Sequence, residues 1–339
     1  MSGKVYDVAK KCNVSPSTVS KVFQGKGSLT EETRIKVLKV AEELGYKPRK
    51  YSIRKSFVES VLLTVPDLHY SDFANSHFYG HVINGIERAL ADNGFQLRLM
   101  TVPSDQNDFR QVKSFLDESV KGVLLLGSGV PRTTVLDFKQ RGLPIVSINY
   151  NRLADGINSV VNDNLLGAQQ IVEYLIKLGH RDIAYIGGSL DNLNMEQRFM
   201  GYRKALEQGG FQEVGDFIRF CGFHSTLEQG SAAADDILGK QKPTAIFAAS
   251  DSIAMGAMKV IRELALQVPG DISVVGFNDI DLTQLVTPQL TTVRVHRQKM
   301  GEYAVSHLIQ LIKNKSTFTI PIKIELPTEL VLRESAASK

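Results

Sequence analysis

Lys21, with Ser17 and Ser20 beside it, stands in the stretch VYDVAKKCNVSPSTVSKVFQG near the start of the chain, Val5 to Gly25. Val19 and Val22 share one side of a helix. Pro16, Ser17, Ser20, Lys21 and Gln24 are left pointing outward, with Ser15 and Thr18 at the helix start. Hydroxyls, an amide and a lysine on an exposed helix can donate to base edges and to phosphates. Lys21 suits a guanine edge or a phosphate. Pro16 has no N–H and offers an apolar ring, fit for a thymine methyl. Further along, polar residues close a series of apolar runs: Asp67, Ser128, Asn149, Ser250 with Asp251, and Asn278 with Asp279. A strand must end on something polar, so each alone says little. Five such ends in one architecture favour a hydrogen-bonding pocket.

The elements that hold Lys21 are legible. Val5, Val8 and Ala9 share a face of a first helix, which Asn13-Val14-Ser15 interrupts. Ser15 reads as an N-cap and Pro16 as the first residue of a second helix. Two short helices joined by a tight turn describe a helix-turn-helix, with two helices of an ordinary bundle as the alternative. A third helix starts at Thr30, carries a broad apolar side of Ile35, Val37, Leu38, Val40, Ala41 and Leu44, and stops at Gly45 with Pro48 beyond. Charge separates this head from the rest. Residues 1–60 hold 13 Lys and Arg against 6 Asp and Glu, a net of +7, while the remainder holds 27 against 30, a net of −3. A basic head on a mildly acidic body is the footprint of phosphate binding. A merely solvated basic tail would lack the caps and the apolar period.

The remaining chain is long enough for two lobes. Apolar runs alternate with amphipathic stretches: VLLTVPD (61–67), FQLRLM (95–100), GVLLLGS (122–128), PIVSIN (144–149), DIAYIGG (182–188), TAIFAASD (244–251) and ISVVGFND (272–279). They are largely unalternated, as strands buried on both faces are, and helical stretches such as YGHVINGIERALADNGF separate them. The fold expected is α/β, with doubly wound parallel sheets behind a three-helix head. No apolar run approaches the roughly 20 residues a membrane helix needs. No signal-peptide pattern opens the sequence, and Cys12 and Cys221 are isolated, so a reduced, cytoplasmic, nucleoid-associated protein is expected.

Several segments together resemble the LacI/GalR family of bacterial transcription repressors: the opening stretch above, ETRIKVLKVAEELGYKP, LGHRDIAYIGG, RFMGYRKAL, AIFAASDSIAMGAMKVIRE, VPGDISVVGFNDIDLTQLVTPQLTTV and LPTELVLRES. The resemblance implies a periplasmic-binding-protein-like core of two lobes joined by three crossovers. It also implies a small effector in the cleft and a homodimer on palindromic double-stranded operator DNA. A head with hinge is expected over 1–57 and an effector-binding and dimerisation core over 58–339. The first lobe would span about 58–161 and 292–322, the second about 162–291 and 323–334.

By the same resemblance, Ser15, Pro16, Ser17, Thr18, Ser20, Lys21 and Gln24 contact DNA. The hinge departs from the family: KPRKYSIRKSFVES (47–60) has no leucine where relatives carry one. Ile53 or Phe57 would then wedge into the minor groove with Arg54 on phosphate, or the segment is a plain basic linker. In the cleft, Arg198 matches the family's Arg-x-x-Gly-aromatic motif and would hold ligand hydroxyls or a carboxylate. His77 and Phe78 fall on an aromatic pair that touches ligand, Phe223 is a stacking platform for a sugar face, and Ser250 and Asp251 are a polar pair. Asn149 and Asn278 replace aspartates common in relatives, which suits a neutral, polyhydroxylated ligand such as a sugar. No heptad helix follows LVLRESAASK, so a dimer rather than a coiled-coil tetramer is expected.

Other chemistries lack their residues. There is no G-x-G-x-x-G, phosphate-binding loop, H-E-x-x-H or G-x-S-x-G, so neither an enzyme nor a cofactor is expected. His77 and His81 are four apart, yet no Cys or carboxylate completes a metal spacing, and no metal is expected. A transport-type sugar-binding protein is the nearest rival, and the basic head argues against it.

Overall fold

The computed structural model describes residues 5–24, 29–46, 58–66, 78–102, 116–127, 130–222, 226–314 and 320–339. The chain divides into two compact units, Met1–Phe57 and Val58–Lys339.

In the first unit, α1 (Val5–Cys12), α2 (Pro16–Gln24) and α3 (Glu31–Glu43) close over Val8, Ala9, Cys12, Val19, Val22, Val37 and Ala41. Asn13 makes the turn between α1 and α2 in the left-handed region, φ 57°. There the Asn13 and Val14 amides donate to the Lys10 and Ala9 carbonyls at 3.2 and 3.0 Å. Ser15 caps α2, its Oγ accepting from the Thr18 amide at 3.1 Å. Thr30 caps α3 in the same way through the Thr33 amide, 3.4 Å. The apolar side expected of α3 is broader than its buried stripe. Ile35 and Leu38 are exposed and only Val37 and Ala41 are buried, because a core this small covers one i, i+4 row.

The second unit holds two parallel sheets. The first has order β11-β5-β4-β3-β1-β2, built from β1 (Ser60–Pro66), β2 (Gln96–Val102), β3 (Val120–Leu126), β4 (Ile145–Ile148), β5 (Asn158–Asn162) and β11 (Lys323–Leu326). Helices α4 (Tyr79–Asp92), α5 (Arg132–Gln140) and α10 (Arg297–Lys313) accompany it. The second sheet has order β7-β6-β8-β9, from β6 (Ile183–Gly187), β7 (Ile218–Phe220), β8 (Ala245–Ala248) and β9 (Ser273–Val275). Its helices are α6 (Asn164–Lys177), α7 (Leu193–Gln208), α8 (Leu227–Leu238) and α9 (Asp251–Glu263). A separate antiparallel pair joins β10 (Thr292–Val295) to β12 (Thr328–Val331).

The chain passes between the lobes three times: from β5 into α6, from β10 into α10, and between β11 and β12 at Pro327. The last passage corrects the expected boundary. Residues 323–326, assigned from sequence to the second lobe, pair with β5 in the first sheet, Lys323 opposite Ser159 and Leu326 opposite Asn162. Strands β1, β3 and β4 are buried almost throughout, as their apolar runs require. Strand β2 is an edge, with Leu99 exposed, and not the two-face-buried strand that FQLRLM suggested. Helix pairs pack backbone to backbone at glycines. A Cβ on Gly301 of α10 would collide with the Val82 carbonyl of α4, and one on Gly201 of α7 with the Leu165 carbonyl of α6.

Candidate DNA-reading face and effector cleft

On the head, Ser15, Ser17, Ser20 and Lys21 are exposed, while Pro16 and Thr18 are half-buried. The Ser15 hydroxyl is occupied with capping and also lies 2.7 and 2.8 Å from the Ser17 and Thr18 hydroxyls. Ser20 Oγ donates back to the Pro16 carbonyl at 3.1 Å. Lys11 is tied to Glu43 of α3 at 3.0 Å, which fixes α1 against α3. Lys21 forms no ion pair among the described residues, so its ammonium is available. Gln24 ends α2. Ile53, Arg54 and Phe57 lie outside the described residues, as do His77 and Phe223 of the cleft set.

In the core unit, Arg198 of α7 is the centre of the second site. It is 3% exposed and stacks over the Phe277 ring, 3.9 Å from guanidinium carbon to centroid. Its Nε donates to Asn164 Oδ1 at 2.9 Å and its Nη1 to the Ala249 carbonyl at 2.6 Å. Burial pushes its pKa down to about 10, so it stays charged at neutral pH. No carboxylate bridges to it among the described residues. The Phe277 face and two neutral acceptors take that place.

Asn149, at the end of β4 with φ 61°, receives Asn194 Nδ2 on its carbonyl at 2.8 Å and on its Oδ1 at 3.3 Å. This bond joins the first lobe to α7 of the second. Asn278 follows β9 at φ 115° and is half-buried, with its Oδ1 buried and unpartnered among the described residues.

Ser250 and Asp251 were expected to face the effector, and the structure uses them otherwise. Ser250 caps α9 through the Ile253 amide, 3.3 Å. Asp251 is fully buried, with Oδ1 accepting from Thr292 Oγ1 at 2.5 Å and Oδ2 from the Ile280 amide at 2.8 Å. Oδ1 thus braces α9 against β10 of the second crossover, and Oδ2 against the turn that follows β9. Burial pushes the Asp251 carboxyl up to about 7. Phe78 is 9% exposed and packs into the first lobe's core, edge-on to Tyr79 at 5.2 Å, which leaves little of it for a ligand.

Sequence reasoning missed Tyr79. Its hydroxyl lies where a Cβ on Gly127, at the end of β3, would be 3.4 Å away, and it bears electrostatically on Arg198. It also missed Asn162, Asn164 and Asn194, whose amides join Arg198 to Asn149. The only signal was the asparagine-rich VNDN at the end of an unassigned strand. Among the described residues no group of three or more His, Cys, Asp or Glu could hold a metal ion, and no helix is long and apolar enough to cross a membrane.

Residues 4–49 match the family described as bacterial regulatory proteins, lacI family, and residues 172–336 match a periplasmic binding protein-like domain. The HTH-type transcriptional repressor CytR of Escherichia coli (strain K12) is 32% identical over 91% of this chain and 89% of its own. The chain belongs to the LacI family of bacterial regulatory proteins. As a LacI-family member it is a DNA-binding transcriptional regulator with an effector-binding core, and not an enzyme. The solved complex of the transcriptional regulator CelR with cellobiose is 29% identical with a TM-score of 0.73, covering 98% of this chain and 99% of that one. The lac repressor dimer bound to operator and the anti-inducer ONPF is 25% identical with a TM-score of 0.71, each chain covered completely at 100%.

Proposed function

We propose that this LacI-family chain is a cytoplasmic homodimeric repressor of carbohydrate-utilisation genes, released from a palindromic operator by a sugar. The observation that carries the reading is Arg198. A buried guanidinium with two donors committed to the protein, and Nη2 without a hydrogen bond among the described residues, is built to hold a hydroxylated ligand at the strand ends. In this reading Asn149, Asn278, Tyr79, His77 and Phe223 belong to the same site. The cellobiose seen in the CelR complex supports a carbohydrate. On DNA, Ser17, Ser20 and Lys21 read the major groove, and Ile53, Arg54 and Phe57 extend the contact. Selection from random DNA should return an inverted repeat with half-sites about one helical turn apart, roughly 34–36 Å, and binding should weaken steeply with salt. Arg198→Lys should keep operator binding while sugar affinity drops about 10- to 150-fold, the loss of one charged hydrogen bond of roughly 1.5–3 kcal/mol. No palindrome, or a Lys variant that responds at the wild-type sugar concentration, would sink the reading.

A further inference from the structure

The amides around Arg198 have a fixed direction. A guanidinium can only donate, so the Asn164 atom that Arg198 Nε meets at 2.9 Å must be Oδ1. Asn164 therefore turns Nδ2 toward Asn194, whose facing atom must be Oδ1, 3.2 Å away. Asn194 then has Nδ2 left, and it points at the Asn149 carbonyl, which can only accept, and at Asn149 Oδ1, 3.3 Å away. Asn162 also meets Asn149 Oδ1, at 3.5 Å, and must do so with Nδ2. One charge thus orients Asn164, Asn194 and Asn149 across the first crossover, and the contact with Asn149 in turn orients Asn162.

The far end of this chain is Asn162 Oδ1. Asn162 is 1% exposed and this oxygen has no partner among the described residues. A buried acceptor left unpaired is costly, and the groups that would pair it are donors. Along the same chain, Arg198 Nη2 and Asn149 Nδ2 make no hydrogen bond among the described residues, so both remain as donors. Asp251, the one carboxylate at this strand end that the sequence assigned to the ligand, has both oxygens taken by protein groups.

We infer that Asn162 is the selectivity residue of the effector site, and that its Oδ1 accepts a hydrogen bond from a hydroxyl of a neutral, polyhydroxylated ligand. This rests on the cleft being the effector site, as proposed above. A hydroxyl donates to Asn162 while accepting from Asn149 or Arg198, so a polyol satisfies both ends of the chain. A phosphate or carboxylate has no proton to give. An anionic oxygen placed at Asn162 Oδ1 would set lone pair against lone pair, whereas a hydroxyl there donates. The site therefore disfavours a ligand that sets a phosphate or carboxylate where that hydroxyl stands.

Calorimetry on the full-length protein tests this with matched probes: glucose, glucose 6-phosphate and gluconate; ribose and ribose 5-phosphate; cellobiose and cellobionate. A neutral member should bind, and its anionic counterpart should bind at least about tenfold more weakly. An anionic member that binds as well or better overturns the inference, and so does a panel in which no neutral sugar binds. For the sugar that binds, monodeoxy analogues then locate the hydroxyl. One of them should lose about tenfold or more in the wild type and almost nothing further in Asn162→Leu. If every deoxy analogue loses as much in Asn162→Leu as in the wild type, Asn162 does not meet the ligand. Asn162→Leu should also melt no lower than the wild type, since it removes a buried unpaired acceptor; a lower melting point with unchanged sugar affinity makes Asn162 merely structural. Operator selection run in parallel separates the two readings. A protein that binds its palindrome but prefers an anion overturns this inference and leaves the DNA reading standing.

Discussion

Asp251 shows how a residue of binding type can be used for building. Its carboxyl is buried and its pKa is raised by desolvation to about 7, against an ordinary value near 4. The folded state therefore holds a proton that the unfolded state has lost between about pH 4 and 7, and stability from this group falls as pH rises through that window. Asp251→Asn keeps an acceptor for the Ile280 amide and a donor for Thr292, whose hydroxyl can turn to accept. It should be more stable than the wild type at pH 8 by on the order of 1–4 kcal/mol, and no more stable at pH 4, in urea unfolding. A variant less stable at pH 8 would show that the charge itself is needed. His180 acts in the opposite sense. Burial lowers its pKa, and it sits 3.0 Å from the Ala337 carbonyl and 3.1 Å from Thr244 Oγ1, pinning the C-terminal tail. The unfolded state gains a proton first as pH falls below about 6.5, so this contribution is lost on acidification. His180→Gln should lose less stability than the wild type between pH 7 and 5; an unchanged slope would exclude His180 as its source. Asp251 was legible as polar and at a strand end. Whether its oxygens faced ligand or protein depended on Thr292, forty-one residues away, and no local pattern carries that.

Elements were legible where their partners are local. The helices of the head follow from caps and apolar period, since Ser15, Pro16 and Thr30 act on neighbours three residues away. The apolar runs found β1, β3, β4, β6, β8 and β9. The strands β5, β7, β10, β11 and β12 have three to five residues each, and β5, β10, β11 and β12 pair with segments distant in sequence, so their polar letters look like loop. The same distance hid the last crossover: Lys323–Leu326 reads as a strand only once Ser159 is beside it. The α1–α2 turn permits a test at this scale. Asn13 holds φ 57°, a region an amide side chain tolerates and a β-branched one does not. Asn13→Val should cost the head about 1–2 kcal/mol and weaken operator binding, while Asn13→Gly should leave both near wild type. Thermal unfolding of the full-length protein, followed with gel shifts, reads both. Equal behaviour of Val and Gly would mean that the turn carries no strain.

At the scale of the whole core unit, the question is what lets one lobe sense the other. Asn278 and Asp279 are consecutive residues at positive φ, 115° and 53°. Asp279 is 6% exposed and accepts from Arg333 Nη2 at 2.6 Å and Arg294 Nε at 2.8 Å, while its carbonyl accepts from Arg297 Nη2 at 2.9 Å. Arg294 sits on β10, Arg297 at the start of α10 and Arg333 just past β12. Two residues further on, Asp281 meets His81 of α4 at 2.9 Å and Arg297 at 3.2 Å, both in the first lobe. The turn that presents Asn278 thus also carries the ionic ties between lobes. Asp279 and Asp281 should behave differently for a physical reason. Removing the charge of Asp279 strands the buried Arg333, and Asp279→Asn should cost about 3–5 kcal/mol in urea unfolding. Asp281 is largely exposed, so its pairs are worth roughly 0–1 kcal/mol and Asp281→Asn should hardly change the melting point. It removes a tie that exists only when the lobes stand in this arrangement, however, and the lobe equilibrium should shift by up to about fivefold, since that energy acts on one state alone. By linkage, operator affinity without sugar and the sugar concentration for half-release should then both move, and the wild type should move the same way at high salt. Gel shifts titrated with the sugar at two salt concentrations read all of this. An Asp281→Asn protein with wild-type operator affinity and a wild-type midpoint would show that these contacts are surface pairs with no part in the response.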